Sequence, residues 1–159
     1  MVQGLVTRGA RIVIVGGFAA SIQGSAIITD DLDVCYADAP ENLRMLAEIL
    51  RGWGAYPRSW EPGLPFFMDE RTFRTTPTFT LTTREGDIDF LHRVEPIGGY
   101  EACYAAADLV PAFGVVVPTL RIGAVIRAKR FANRPKDLRA LPELEAVAAE
   151  RGEWPPLAG

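Results

Sequence analysis

The stretch Arg11-Ile12-Val13-Ile14-Val15-Gly16-Gly17, followed by Asp31-Leu32-Asp33-Val34-Cys35-Tyr36, decides the reading of this chain. Residues 11–15 are a short run dominated by β-branched side chains, which predicts a buried strand. Gly16-Gly17 ends that strand, and residues 18–24 predict a short helix stopped by Gly24. Residues 32–36 predict a second strand with Asp31 at its mouth. Fourteen positions separate Gly17 from Asp31. A third acidic stretch, Gly86-Asp87-Ile88-Asp89-Phe90-Leu91, repeats the Asp-x-Asp spacing farther along.

Working outward, residues 40–53 predict the clearest helix: Pro40 suits its first turn, and Leu43, Leu46, Ala47 and Leu50 recur at helical spacing. Residues 54–70 are rich in proline, glycine and aromatics and are expected to form an extended loop. Residues 78–83 alternate like a strand and, with 88–91, predict a hairpin across Arg84-Glu85-Gly86. A small helix at 100–108 and a strand at 115–117 follow. Pro118 introduces a helix over 120–132, and 136–141 starts another that Pro142 is expected to interrupt before 143–151. The fold class is therefore α/β (α+β), a small mixed β-sheet flanked by helices with a C-terminal helical segment. Residues 1–159 read as one domain, with a sheet-based core over 11–118 and C-terminal helices over 119–151.

Composition agrees with a single globular domain. The chain has 159 residues, of which 48% are hydrophobic and 23% charged, enough to bury a core and too apolar for disorder. No apolar run approaches the roughly 20 residues of a membrane span. Arg8 and Arg11 directly before the first hydrophobic stretch do not give a signal-peptide layout. Cys35 and Cys103 lack metal-ligand spacing and are read as reduced thiols of a cytoplasmic protein. The net charge of −3 excludes a general polyanion binder, but seven basic residues against one acid crowd into 121–139. Such a local positive field beside an acidic site suits a ligand carrying both phosphates and metal, and equally suits a solvated helix face.

Residues two apart on a strand share a face, so Asp31 and Asp33 are expected to converge roughly 7 Å apart, with Asp89 completing a triangle from a neighbouring strand. Two carboxylates about 6 Å apart repel by roughly 3 kcal/mol at an effective dielectric near 20, so a cation must relieve the triangle or the acids splay into water. Magnesium takes a few carboxylate oxygens and keeps its waters, which matches this donor set. A pair of such ions can clamp the attacking and leaving oxygens of a phosphoryl transfer. Gly16-Gly17 at a strand-to-helix junction lets the backbone approach a ligand closely, and the N–H groups of the following turn can hold phosphate oxygens. A tight turn requiring positive φ explains the same two glycines. Thr29 is expected to cap the local backbone or bond a carboxylate. Together these features point to nucleotidyl transfer.

The segments Ile14-Val15-Gly16-Gly17-Phe18-Ala19, Gly24 and Thr29-Asp30-Asp31-Leu32-Asp33-Val34 resemble the signature of the polymerase-β-type nucleotidyltransferase superfamily. The branch they resemble is that of the AbiEii-like (MenT-type) nucleotidyltransferases, often toxins of toxin–antitoxin pairs. The resemblance extends to the strand carrying Asp89 and to Lys129, Arg134-Pro135-Lys136-Asp137-Leu138 and Leu141, and so spans about residues 11–141. It implies a nucleotidyltransferase fold and transfer of a nucleoside monophosphate from an NTP to an acceptor hydroxyl, with Mg2+ as cofactor. It implies catalytic and metal-binding roles for Asp31, Asp33 and Asp89, and contact of Gly16, Gly17, Lys129 and Lys136 with the nucleotide or acceptor. A tRNA 3′ end is the implied acceptor and a cognate antitoxin the implied partner. Gln23-Gly24 and Ile27 stand where many relatives have His-Gly and an arginine. Phe18 stands where many have a phosphate-binding serine; Ser21, one helical turn on, is the nearest substitute. The helix that usually precedes the first strand is expected to be almost absent.

Other residues are expected to be structural. His92 reads as a structural or surface residue, with a general base as the sharper option. Trp53 reads as core, whereas Trp60, Phe66 and Phe67 could stack on a base. Asp30 and Asp87 are expected to face solvent on the side opposite the catalytic acids, and residues 143–150 to be an acidic helix face. Two rival functions stay open: modification of a small antibiotic or metabolite, and a non-catalytic nucleotide-binding or antitoxin-like module.

Overall fold

The computed structural model describes residues 1–153. In chain order its elements are α1 (Val2–Thr7), β1 (Ile12–Val15), α2 (Gly16–Ile22), β2 (Asp31–Tyr36), α3 (Pro40–Gly52), β3 (Tyr56–Pro57) and α4 (Glu70–Thr75), then β4 (Thr78–Thr83), β5 (Gly86–Leu91), α5 (Tyr100–Ala105), β6 (Ala107–Ala112), β7 (Val115–Leu120), α6 (Ile122–Ala132) and α7 (Pro135–Glu150). The strands form one mixed sheet in the order β3-β4-β5-β2-β1-β7-β6. β1 is buried at every position, as its apolar run requires. It lies antiparallel to β2 and parallel to β7. β2 in turn runs parallel to β5.

Alternation along the two acidic strands separates core from site. Leu32, Val34, Ile88 and Phe90 are fully buried and join one continuous core with Leu43, Leu46 and Leu50 of α3. Asp31, Asp33, Asp87 and Asp89 lie on the other face. The same period of two corrects the expectation for Asp87: residues 87 and 89 necessarily point the same way, and Asp87 joins the face that carries Asp31, Asp33 and Asp89. Asp30, one residue before β2, is exposed as expected.

Several elements depart from the sequence reading. The N-terminal helix expected to be almost absent is present as α1, with Val2 and Leu5 buried. It packs closely on Trp53, where any side chain at Gly4 would meet the indole at 2.9 Å. The expected 54–70 loop contains β3, and α4 begins at its end, capped by Asp69, whose carboxylate accepts from Arg71 N at 3.0 Å. β6 was hidden by Pro111, which a sheet edge tolerates because no neighbour needs its N–H. Pro142 does not interrupt α7. The i−4 carbonyl that Pro142 cannot pair with belongs to Leu138, a residue 45% exposed, while Asp137, Leu144 and Ala148 stay buried.

Asn42 fastens the start of the sheet to α3. Its amide accepts from Arg11 N at 2.8 Å and donates to the Ala37 and Arg11 carbonyls at 2.8 and 3.2 Å. The residue is 1% exposed, so its loss leaves backbone groups without partners. Asn42→Ala is expected to destabilise the fold by about 2 kcal/mol, read as a lower denaturation midpoint with an unchanged slope.

Candidate active site

Parallel pairing of β2 and β5 sets Asp31 opposite Asp87 and Asp33 opposite Asp89. Four carboxylates thus form a block on one face of two adjacent strands. Burial first, then the charge and hydrogen bond of Asp89 and the charge of Asp31, push Asp33 up to about 7, while Lys136 pulls the other way. Asp33 therefore holds its proton far above the usual carboxylate range, with Asp89 as its hydrogen-bond partner.

A cation also lies among these acids, one the sequence reading missed. Arg58, just past β3, reaches Asp31 with Nη1 at 3.6 Å and Asp87 with Nε at 3.4 Å. Its Nη2 donates to Asp89 Oδ1 and to the Leu81 carbonyl, both at 2.9 Å. The arginine is held in place by its own backbone, whose N–H donates to the Thr80 carbonyl across from Asp89. Arg58 is the only basic residue between Arg51 and Arg71, and that isolation beside an uncompensated acid cluster was the available signal.

Gly16 opens α2 at φ +64°, and a Cβ built there would lie 2.3 Å from Asp33 Oδ2. Both the left-handed backbone and the approach of the carboxylate therefore require glycine. Gly17 faces Thr29, 3.4 Å from where its Cβ would be. Thr29 stands in a local turn with Asp31, accepting from Asp31 N at 3.4 Å and donating to Asp31 O at 3.3 Å. The Ser21 hydroxyl donates to the Ile27 carbonyl at 2.6 Å, so its proton serves the loop that leads to Asp31. Phe18 packs on Phe113 of the β6–β7 turn with ring centroids 5.9 Å apart.

That loop is fastened from a second direction. Glu143 of α7 accepts from Ser25 Oγ at 2.7 Å and from Ala26 N at 2.8 Å, so the expected acidic face of that helix contains one structural anchor. Gln23, 4% exposed, reaches the Thr119 carbonyl of β7 at 3.4 Å.

The two lysines differ. Lys129, 17% exposed, pairs with Asp137 Oδ1 at 3.3 Å, and Arg134 Nε donates to Asp137 Oδ2 at 2.6 Å. Burial works to raise Asp137, but the Arg134 and Lys129 hydrogen bonds outweigh it and hold the carboxyl below its ordinary value. Lys136 is exposed and close enough to the acids to act on Asp33. His92 packs its ring 6.1 Å from that of Tyr36. Cys35 and Cys103 are free and buried.

Trp60 and Phe66 form an edge-on aromatic cluster with Tyr56. Beside it a cavity of about 400 Å3 is lined by Ser59, Trp60, Phe66, Thr78 and Thr80, among others. Phe67 is 70% exposed, with the Arg51 guanidinium 5.3 Å from its ring centre.

No protein-family model and no curated protein matches this chain. Solved structures do. ANT(2")-Ia in complex with adenylyl-2"-tobramycin superposes with a TM-score of 0.59 at 15% identity, over 96% of this chain and 88% of that one. A solution structure of the same antibiotic-resistance factor gives 0.54 at 15% identity over the same shares. TM1012 of Thermotoga maritima, which carries a nucleotidyltransferase assignment, gives 0.56 at 13% identity, over 88% of this chain and 84% of that one. The fold is that of the nucleotidyltransferases. At these identities the likeness is one of fold, and the chemistry must be argued from this chain's own residues.

Hard oxygen donors on paired strands suit a divalent cation in kind and in number. As they stand, no three acidic, histidine or cysteine side chains among the described residues converge as a ligand set, and Arg58 bridges three of the four aspartates. The donor set fits an ion that takes over part of Arg58's contacts.

Two outcomes follow from this geometry. Gly16→Ala is expected to lower stability by at least about 1–2 kcal/mol from the left-handed backbone alone, with the Asp33 contact adding to it, measured by thermal or chemical unfolding. Between 3.8 and about 7 the folded protein keeps an Asp33 proton that the unfolded chain has lost. The contribution of Asp33 to stability is therefore greatest at low pH and falls as pH rises through that window. Asp33→Asn is expected to gain in melting temperature relative to the unsubstituted protein between about pH 5 and pH 8; a difference that does not change with pH would contradict the protonated Asp33.

Proposed function

We propose that this protein is a Mg2+-dependent nucleotidyltransferase that moves a nucleoside monophosphate from an NTP to an acceptor hydroxyl and releases pyrophosphate. The observation carrying this reading is the in-register block of Asp31, Asp33 and Asp89 directly beside the Gly16 turn. Asp31, Asp33 and Asp89 would hold the ion, which supplies charge neutralisation at the phosphates and acidifies the acceptor hydroxyl. Asp33 or Asp89 would take up the hydroxyl proton as its oxygen bonds to the α-phosphorus. The bond from that phosphorus to the bridging oxygen breaks as pyrophosphate leaves. Lys136 faces the acids and is free to meet the triphosphate, while Lys129 is oriented by Asp137. The turn at Gly16 and Gly17 lets the phosphates approach the backbone.

Two acceptors have support. The exposed Arg127, Arg130, Arg134, Lys136 and Arg139 suit an RNA backbone, in keeping with a tRNA-modifying toxin that has a cognate antitoxin. The cavity lined by Ser59, Thr78, Thr80 and aromatic rings suits a small hydroxyl-rich acceptor, and ANT(2")-Ia was solved with adenylyl-2"-tobramycin.

The test is incubation with each α-labelled NTP and Mg2+, with total tRNA in one arm and hydroxyl-bearing antibiotics in the other. The expected result is label on one acceptor class, reduced at least about 100-fold in Asp31→Ala and Asp89→Asn. Equal transfer by the substituted proteins would remove the acids from the mechanism. Absence of transfer in both arms, with no Mg2+-dependent NTP binding by calorimetry, would leave the non-catalytic module as the correct reading.

A further inference from the structure

The guanidinium of Arg58 reaches three aspartates from one planar group. Two of them, Asp31 and Asp89, belong to the proposed ion-binding set; the third, Asp87, does not. Arg58 is thus the neutralising charge among these acids, a position the expected divalent cation would otherwise hold.

We propose that Arg58 is a built-in counter-cation that competes with the divalent ion for Asp31 and Asp89 and sets the ion concentration at which the site loads. This rests on the reading of Asp31, Asp33 and Asp89 as an ion-binding set. Three observations favour competition over a purely structural ion pair. The contacts differ in quality: Asp89 receives a well-formed hydrogen bond at 2.9 Å, but Asp31 and Asp87 lie at 3.6 and 3.4 Å. Arg58 Nε is buried and makes no hydrogen bond, only the 3.4 Å ion pair with Asp87, so the present pose leaves a donor unsatisfied. Finally, the group has somewhere to remain. It can keep Asp87 at Nε and the Leu81 carbonyl on one hydrogen of Nη2 while releasing Asp31 from Nη1 and Asp89 from the other hydrogen of Nη2.

This gives a task to Asp87, which stands in the same block of acids but outside the expected ligand set. It retains the arginine at the rim of the site after the ion has entered. A lysine could not do this as well, since a single ammonium cannot hold several edges at once.

The experiment is Mn2+ titration of the full chain, read by electron paramagnetic resonance of the free ion and by calorimetry, with no nucleotide present. Arg58→Gln is expected to bind Mn2+ at least about tenfold tighter than the unsubstituted protein, the scale of a single displaced charge-assisted contact. Arg58→Lys is expected to fall between the two, and it carries the test if Arg58→Gln does not fold. A second readout is thermal: without metal Arg58→Gln melts lower than the unsubstituted protein, and saturating Mn2+ raises its melting temperature by the larger increment. Equal Mn2+ affinity in all three proteins, with binding present, overturns the competition and leaves the ion site standing. No Mn2+ binding in any of them overturns both.

Discussion

Four carboxylates cannot share one face of two hydrogen-bonded strands without positive charge to offset their repulsion. In this molecule β2 and β5 impose that arrangement through their register, since the buried Leu32, Val34, Ile88 and Phe90 leave the aspartates only the opposite face. The protein answers in three ways: Arg58 spans three of the acids, Asp33 retains a proton well above the usual carboxylate range, and Lys136 adds charge from α7. Each response also shapes chemistry, because each leaves a proton or a cation where a phosphoryl transfer would use one. Core packing and site electrostatics are here two consequences of one alternation.

The route into β2 is held as firmly as the strand itself. Ser21 bonds the Ile27 carbonyl, Glu143 gathers Ser25 and Ala26, and Gln23 reaches β7. These contacts come from α2, α7 and the residue just after α2, so the segment between Gly24 and Asp31 is fixed by helices on both sides. Helices α2 and α7 therefore both act on the segment that leads into Asp31 even though neither carries it.

Much of this was legible in the residues. The β-branched run before Gly16, the Asp-x-Asp pairs and the helical spacing of Leu43, Leu46 and Leu50 all encode their structure locally, and each formed where periodicity places it. The acids and glycines of the candidate site came together for the same reason. What escaped the sequence was non-local. Arg58 sits in an aromatic loop whose path is set by pairing with β4, and no nearby residue announces that its side chain turns toward strands more than twenty positions away. Glu143 looks like any solvated helix acid until the loop it holds is placed beside it. Asp87 was misassigned although the strand period settles it, and α7 continues through Pro142, whose missing hydrogen bond falls at the exposed Leu138.

The two edges of the sheet have a consequence of their own. At one side β3 contributes only two residues, and at the other β6 carries Pro111, which offers no amide hydrogen. A seven-stranded sheet with long, flat borders would present an open template to any extended chain it met. Here one border is too short to seed pairing and the other is broken by an imino acid. Growth of the sheet by addition of foreign strands is discouraged at both ends.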